Sequence, residues 1–382
     1  MGFFKNKTFN LMYVHGAFQS IAAYGGETFA FIFLLKAGIA VPVVLLCIGL
    51  MFGSRLVFRK LVLPLAKRVG LRNAFLCGIL LEASTYPVLS QIKGVGPLLV
   101  FYLALWAISS SIYWTAYHAY VARLGDKEHS GKQVGAMEFI GQMMGIVTPV
   151  ASGLMLTYFS PLAAFSVIGL AMAASALPIL YGPNLQVEPV ADMPALYRAW
   201  FAMFADGLRA GCFHFTWLIA LFITLNSSFT AFGGTLALAG VAGAIGGLFI
   251  GRSIDLGNGK RALRIGVGAL AIAVTLRAFG YAAIWSAVLA NAAAAVAWPP
   301  YATAFNSRIY HMTRQTPCAL RFHVVTEGGW DAGTAIGCFA AAWAIYSGMG
   351  FFWPLLGGLV GCVLAYVILE PTYQDESTLT VA

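Results

Sequence analysis

Long runs of apolar residues without a single charge constrain this chain more than anything else in it. Residues 332–369 contain no Asp, Glu, Lys or Arg, and neither do residues 153–187. Each stretch is long enough for two membrane crossings, because one helical crossing takes about 20 apolar residues. Only 10% of the 382 residues are charged, against about 25% in a soluble globular domain. Backbone that crosses lipid must satisfy its own hydrogen bonds, and these runs are too long and too uniformly apolar for barrel strands. An all-α membrane protein is therefore expected, with twelve spans near 9–33, 40–62, 71–91, 96–121, 134–159, 162–182, 198–224, 229–253, 262–282, 284–307, 320–347 and 350–370.

The positive charges fall in bursts between these runs. With the N-terminus inside, 19 of the 23 Lys and Arg lie on the inner side, from Lys5 and Lys7 to Arg314 and Arg321. Lys36 and Lys93 lie outside, and Arg209 and Arg277 fall within spans. Such a bias sets orientation, so both termini are expected in the cytoplasm of a multi-pass protein of the cytoplasmic (inner) membrane. It also accounts for the net charge of +9, so no nucleic-acid partner is expected. No cleavable signal peptide is expected, since the first apolar run continues as a full span. The six cysteines fall in or beside spans without a C-x-x-C and read as inert buried thiols.

The chain reads as two halves. Residues 1–182 form an N-terminal six-helix bundle, 183–197 a proline-bearing cytoplasmic linker, and 198–382 a C-terminal six-helix bundle with a short acidic tail. The basic loop at 65–78 aligns without a gap on 253–266, an offset of 188 that also puts Tyr113 on Tyr301. With one inserted residue, Glu138 falls on Glu327. Two units in the same orientation form the parallel repeat of a two-bundle transporter.

On these residues the sequence resembles the major facilitator superfamily over essentially its whole length. The family's signature after the second helix is roughly G-x-L-a-D-r-x-G-r-[kr]. The first copy keeps Arg68, Gly70 and Arg72, with Lys67 where the family has its acid. The second keeps Gly251, Asp255, Lys260 and Arg261. The fifth helix carries Gly141, Gly145, Pro149 and Gly153, a loose version of the pattern of family exporters. The resemblance implies a major facilitator fold, pseudo-symmetric bundles, and a central cavity lined by the first, fourth, seventh and tenth helices.

A charge inside a span costs at least a few kcal/mol, so each one needs a reason. The proton-coupling candidates are Glu27, Asp206, Glu327 and Asp331. His323, Glu327 and Asp331 are spaced by four and stack along one helical face. Such a stripe suits proton coupling, since a carboxyl in low dielectric can be held neutral and a neighbouring His or second acid tunes it. The alternative is pairing of Glu327 and Asp331 with basic loops at the inner end. The expected cytoplasmic gate comprises Lys67, Arg68, Glu138 and Asp255.

Substrate-cavity candidates are His15, Gln19, Trp114, His118, Gln142, Arg209, His214, Tyr301, Asn306 and His323. Asp206 and Arg209 form either a site or a pair that neutralises itself. Gly207 and Gly211 loosen the seventh helix, and broken helices are where transporters expose backbone to substrate; on the first helix Glu27 lies deep in the span next to Gly25 and Gly26. On the fourth helix Trp114 and His118 share one face, with Tyr113, Tyr117 and Tyr120 on another, and the first set is read as facing inward. An aromatic wall with a few polar atoms suits an amphiphilic or ring-containing solute. Arg277 is read as snorkelling from the outer end of the ninth helix, and Arg55, Arg59 and Lys60 as an anchor at the inner interface.

No phosphate-binding loop, G-x-S-x-G or dense metal-ligand spacing appears, so neither enzymatic activity nor a cofactor is expected. The expected function is secondary active transport of a small organic solute by alternating access, coupled to protons and tilted toward export. The partners are the solute, protons and the bilayer, and the protein is expected to act as a monomer. One alternative is a transition-metal transporter using His15, Glu27, Asp206, Cys212, His214 and His323. Another is a non-transport membrane assembly factor on the same fold.

Overall fold

A computed structural model of the chain describes residues 6–125, 130–187, 196–254 and 259–373; the side chains of 130–132, 134, 138, 247–254 and 259 lie outside that description. The described residues form helices α1 (Lys7–Lys36), α2 (Val41–Val69), α3 (Leu71–Leu89), α4 (Pro97–Leu124), α5 (Ser130–Tyr158) and α6 (Pro161–Leu180). They continue as α7 (Leu196–Thr224), α8 (Phe229–Ile254), α9 (Gly259–Gly280), α10 (Ile284–Arg314), α11 (Ala319–Tyr346) and α12 (Phe352–Leu369). Among the described residues, nine helices are long and apolar enough to cross a membrane. The other three, α3, α10 and α11, carry charges such as Glu82, Arg308, Glu327 and Asp331.

Local sequence sets the ends of these rods. Pro97 and Pro161 occupy first-turn positions, where a missing N–H costs nothing. Asn6 caps α1 by accepting from the Phe9 N–H at 2.9 Å, and its amide donates to the Leu124 carbonyl at 3.0 Å, tying the start of α1 to the end of α4. Gly70 turns α2 into α3 at φ 85°, a left-handed angle that glycine adopts without steric cost. The first residues of the expected linker pack on this turn. Asn184 accepts from the Arg72 N–H at 3.1 Å, and Leu185 accepts from the Leu71 N–H at 2.9 Å. Residues 183–185 therefore belong to the packing of the first six helices; residues 188–195 and the tail from 374 lie outside the description.

The 188-residue repeat recurs as geometry. A Cβ on Gly78 would meet the Tyr113 backbone at 2.7 Å, and one on Gly266 would meet the Tyr301 backbone at 2.8 Å. Both partners sit 188 positions apart, so α3 lies on α4 as α9 lies on α10. Small residues let the backbones approach this closely.

Across the two sets of six, α2 packs on α11 and α5 on α8. The α5–α8 contact is again glycine on backbone: Gly153 lies against Phe229 and Gly240 against Gly145. Large apolar side chains face outward along the rods, among them Leu50, Val57, Val100, Phe101, Leu170 and Leu289. Lipid is the medium that accepts such a surface.

Candidate functional site

A cavity of about 530 Å³ lies between the first six and the last six helices, lined from both. Its lining follows from two breaks in helical regularity. In α1, residues Ala23–Glu27 form a π turn; in α7, Ala210–Phe215 form another. Both occur where the sequence places paired or spaced glycines, and one-turn π segments are frequent at functional sites. The first presents Tyr24 and Glu27 to the cavity, and the second presents His214, with Asp206 and Arg209 one turn before it.

Asp206 and Arg209 form a closed unit. Arg209 donates to Asp206 Oδ1 from Nε and from Nη2, each at 2.8 Å. Tyr301 donates to the same oxygen at 2.7 Å, and Trp330 Nε1 donates to Oδ2 at 3.0 Å. The Arg209 guanidinium lies 5.1 Å from the Trp298 ring centre. A buried carboxylate with four donors is compensated as such a charge must be. Tyr301 is thus buried behind the cavity and holds Asp206. Its repeat mate Tyr113 does the equivalent for α1, with its hydroxyl 2.9 Å from His15 Nε2.

A second cluster spans the two sets of helices toward the end where the basic loops gather. Arg55 and Arg59 of α2 are buried and reach Asp331 of α11, Arg55 Nε at 3.1 Å from Oδ1 and Arg59 through its Nε at 3.0 Å to Oδ2. Arg59 Nη2 also contacts Asp331, and Arg55 Nη2 lies 3.9 Å from Glu327. His118 of α4 closes the cluster, with Nε2 at 3.5 Å from Glu327 and Nδ1 at 2.7 Å from the Tyr310 hydroxyl of α10. At the opposite end the join is aromatic. Phe29 of α1 meets Phe232 of α8 edge-on at 5.3 Å, and Lys36 lies 5.9 Å from the Phe229 ring centre. Contacts between the two sets therefore flank the cavity on both sides.

Of the sequence candidates, Glu27, Asp206, Glu327, Trp114, His118, Gln142, Arg209, His214 and Asn306 line the cavity. Asp331 is fully buried under the two arginines rather than in the cavity wall. Tyr113 packs away from the cavity on Phe75 and Tyr117.

Several expectations need correction. His15 is not in the cavity wall: it is buried among the first helices between Ser175 O (2.9 Å) and Tyr113, because α1 turns that face toward α6. Gln19, one turn along the same face, is also absent from the wall. Tyr301 and His323 lie one layer behind it; His323 stacks on His118 at 5.3 Å. The proposed metal ligands do not converge. Cys212 points at the Gly337 carbonyl while its near neighbour His214 opens on the cavity, and among the described residues no three His, Cys, Asp or Glu side chains gather in ligand geometry.

Lys67 and Arg68 are exposed and make no ion pair among the described residues, so the acids of α11 pair with Arg55 and Arg59 instead. Glu138 (its side chain) and Asp255 lie outside the described residues. Arg55 and Arg59 are not an interface anchor, because α2 runs on to Val69 and turns both inward. Arg277 does not snorkel: it is buried, lines the cavity and donates to Asn291 Oδ1 at 2.8 Å. Sequence did carry one unused signal. Arg55 and Arg59 are four apart, as are Glu327 and Asp331, so each pair occupies one face of its helix and the two faces match in charge.

Comparison with known proteins agrees with this architecture. No curated protein sequence matches the chain. Among solved structures, a POT family transporter in complex with 5-aminolevulinic acid superposes with a TM-score of 0.71 at 10% identity, covering 96% of each chain. A POT family transporter in complex with a thioalcohol-conjugated peptide gives 0.67 at 11% identity, again covering 96% of each. Identities this low speak for the fold alone. The sequence model of the Major Facilitator Superfamily matches residues 16–316, most of the chain. With that match, the chain belongs to the major facilitator superfamily of membrane transport proteins.

Proposed function

We propose that this protein is a secondary active transporter. It carries a small, amphiphilic or ring-containing organic solute across the cytoplasmic membrane by alternating access, coupled to protons. Twelve crossings place both termini in the cytoplasm. Residues 1–182 and 198–382 act as two six-helix bundles joined by the segment 183–197, and the protein works as a monomer. The glycine and proline pattern of α5 leans the reading toward export.

One observation carries this reading: a cavity lined by ionisable and aromatic residues from both sets of helices, flanked by contacts that join the sets on either side. Such a cavity at the interface of two repeats is where transporters of this architecture bind. The mixed lining supports an amphiphilic solute, and two proteins of similar fold hold small organic molecules. In the proposed cycle, the cluster of Arg55, Arg59, Asp331, Glu327 and His118 is the cytoplasmic gate and separates when the cavity opens inward.

Glu27 is the proposed coupling carboxylate. It sits on the α1 π turn in the cavity wall with no ion-pair partner among the described residues. Asp206 and Glu327 are held in pairs and serve the site and the gate. Proteoliposomes loaded with a pH-sensitive dye test this reading. A solute found to stabilise the purified protein against heat should move protons in the native protein. Glu27→Gln should exchange labelled solute without proton movement. Proton movement undiminished in Glu27→Gln removes that residue from coupling, and failure of the native protein to exchange any stabilising solute sinks the carrier reading.

A further inference from the structure

Among the described residues, the buried arginines that line or adjoin the cavity face carboxylates, except Arg277. Arg55 and Arg59 face Asp331 and Glu327, and Arg209 faces Asp206. Arg277 of α9 has no carboxylate within ion-pair distance among the described residues, yet it is more than nine-tenths buried and forms part of the cavity wall. Its guanidinium sits between two aromatic faces, 4.5 Å from the Phe213 ring centre and 4.8 Å from that of Trp217. Among the described residues its one hydrogen-bond acceptor is Asn291 Oδ1, already taken by Trp217 Nε1 at 2.9 Å. Arg277 Nε is buried with no hydrogen-bond partner among the described residues. The ionisable groups that face it, all from α7, are Arg209 and His214; the nearby carboxylate Asp206 is saturated by Arg209, Tyr301 and Trp330.

A lipid-buried guanidinium is expensive to keep, and a buried donor without an acceptor adds to that cost. Two rings and a shared amide oxygen offset only part of it. An anion entering the cavity would supply the missing charge, and the planar fork of an arginine fits a carboxylate in two parallel hydrogen bonds.

Resting on the transport reading above, we propose that the solute is an organic anion whose carboxylate is held by Arg277. Asn291 orients the guanidinium by accepting from it, and Phe213 and Trp217 fix its plane. The apolar body of the solute lies among the aromatic side chains of the remaining wall, such as Phe31, Trp106 and Phe215. Asn291 and Trp217 are positioning residues, one step removed from the ligand.

The experiment is a thermal-shift screen on the full-length protein in detergent. It uses aromatic and aliphatic monocarboxylates, the matched amides and amines, and sodium chloride and inorganic phosphate as plain anions. The expected result is stabilisation by a subset of carboxylates and not by their amides. That stabilisation should fall at least tenfold in apparent affinity in Arg277→Gln and be partly kept in Arg277→Lys. The lysine variant guards against a glutamine variant that fails to fold. Asn291→Ala should weaken the same carboxylates by a smaller factor.

The proposal is overturned if the stabilising compounds are amines or amides, if no carboxylate stabilises, if chloride or phosphate alone gives the full shift, or if carboxylates stabilise Arg277→Gln as well as the native protein. Failure of the underlying reading looks different. A carboxylate that depends on Arg277 for binding, but is never exchanged by proteoliposomes, would leave the anion site standing and remove the carrier.

Discussion

The two buried ion-pair clusters use the same chemistry in different places. Asp206 and Arg209 lie three residues apart on α7, and their further partners, Tyr301 and Trp330, also come from the last six helices. Asp331 instead receives Arg55 and Arg59 from α2, and its neighbour Glu327 receives His118 from α4, so this cluster joins the two sets. A pair confined to one rigid unit survives any relative movement of the units. A pair that bridges them is broken by such movement. The first cluster gives the cavity a fixed polarity, and the second can only report, and in the proposed cycle control, whether the basic end is closed.

The sharpest way to break this comparison is Asp331→Asn. It leaves two buried arginines facing a neutral group, and removing one partner of a buried pair costs about 3–5 kcal/mol. That cost falls on the closed basic end. A cysteine at Ala122, which lines a pocket between the ends of α4 and α10 and the start of α11, should react faster with an impermeant maleimide over the background of the six native thiols. Unchanged labelling would mean the bridge is not a latch.

Asp206→Asn should lower thermal stability by about 3 kcal/mol, because it leaves Arg209 a lone buried cation, with no change in labelling at position 122. Adding Arg209→Gln should return most of that stability, since removing both charges avoids a lone buried cation. A labelling change in Asp206→Asn would erase the distinction between the clusters. The smallest effect is expected for His118→Ala, about 1 kcal/mol from two lost polar contacts. It should raise labelling at position 122 less than Asp331→Asn does.

Much of the architecture was legible in the sequence. The apolar runs and the 188-residue offset reappear as helices and as the matched contacts of Gly78 on Tyr113 and Gly266 on Tyr301. So does the glycine-loosened turn that brings His214 to the cavity. What sequence hid was the direction of single side chains. An arginine near a helix end reads as an interface anchor, and nothing in α9 alone says that Arg277 turns toward Asn291 of α10. His15 erred the other way: it lies twelve residues before Glu27 on the same helix, about 120° round it at 3.6 residues per turn, and faces α6 rather than the cavity.

The seam between α7 and α11 has a mechanical meaning. Gly207 and Gly211 on one helix and Gly329, Gly333 and Gly337 on the other each rest on opposing backbone, with no side chain between to bend or slide. Two rods fused in this way behave as one stiff lever. Asp331 rides on its α11 arm and Asp206 on its α7 arm. In the proposed cycle, a tug on the carboxylates at the basic end is therefore delivered to the Asp206 turn without slack, and the solute's resting place and the door beneath it share a single moving part.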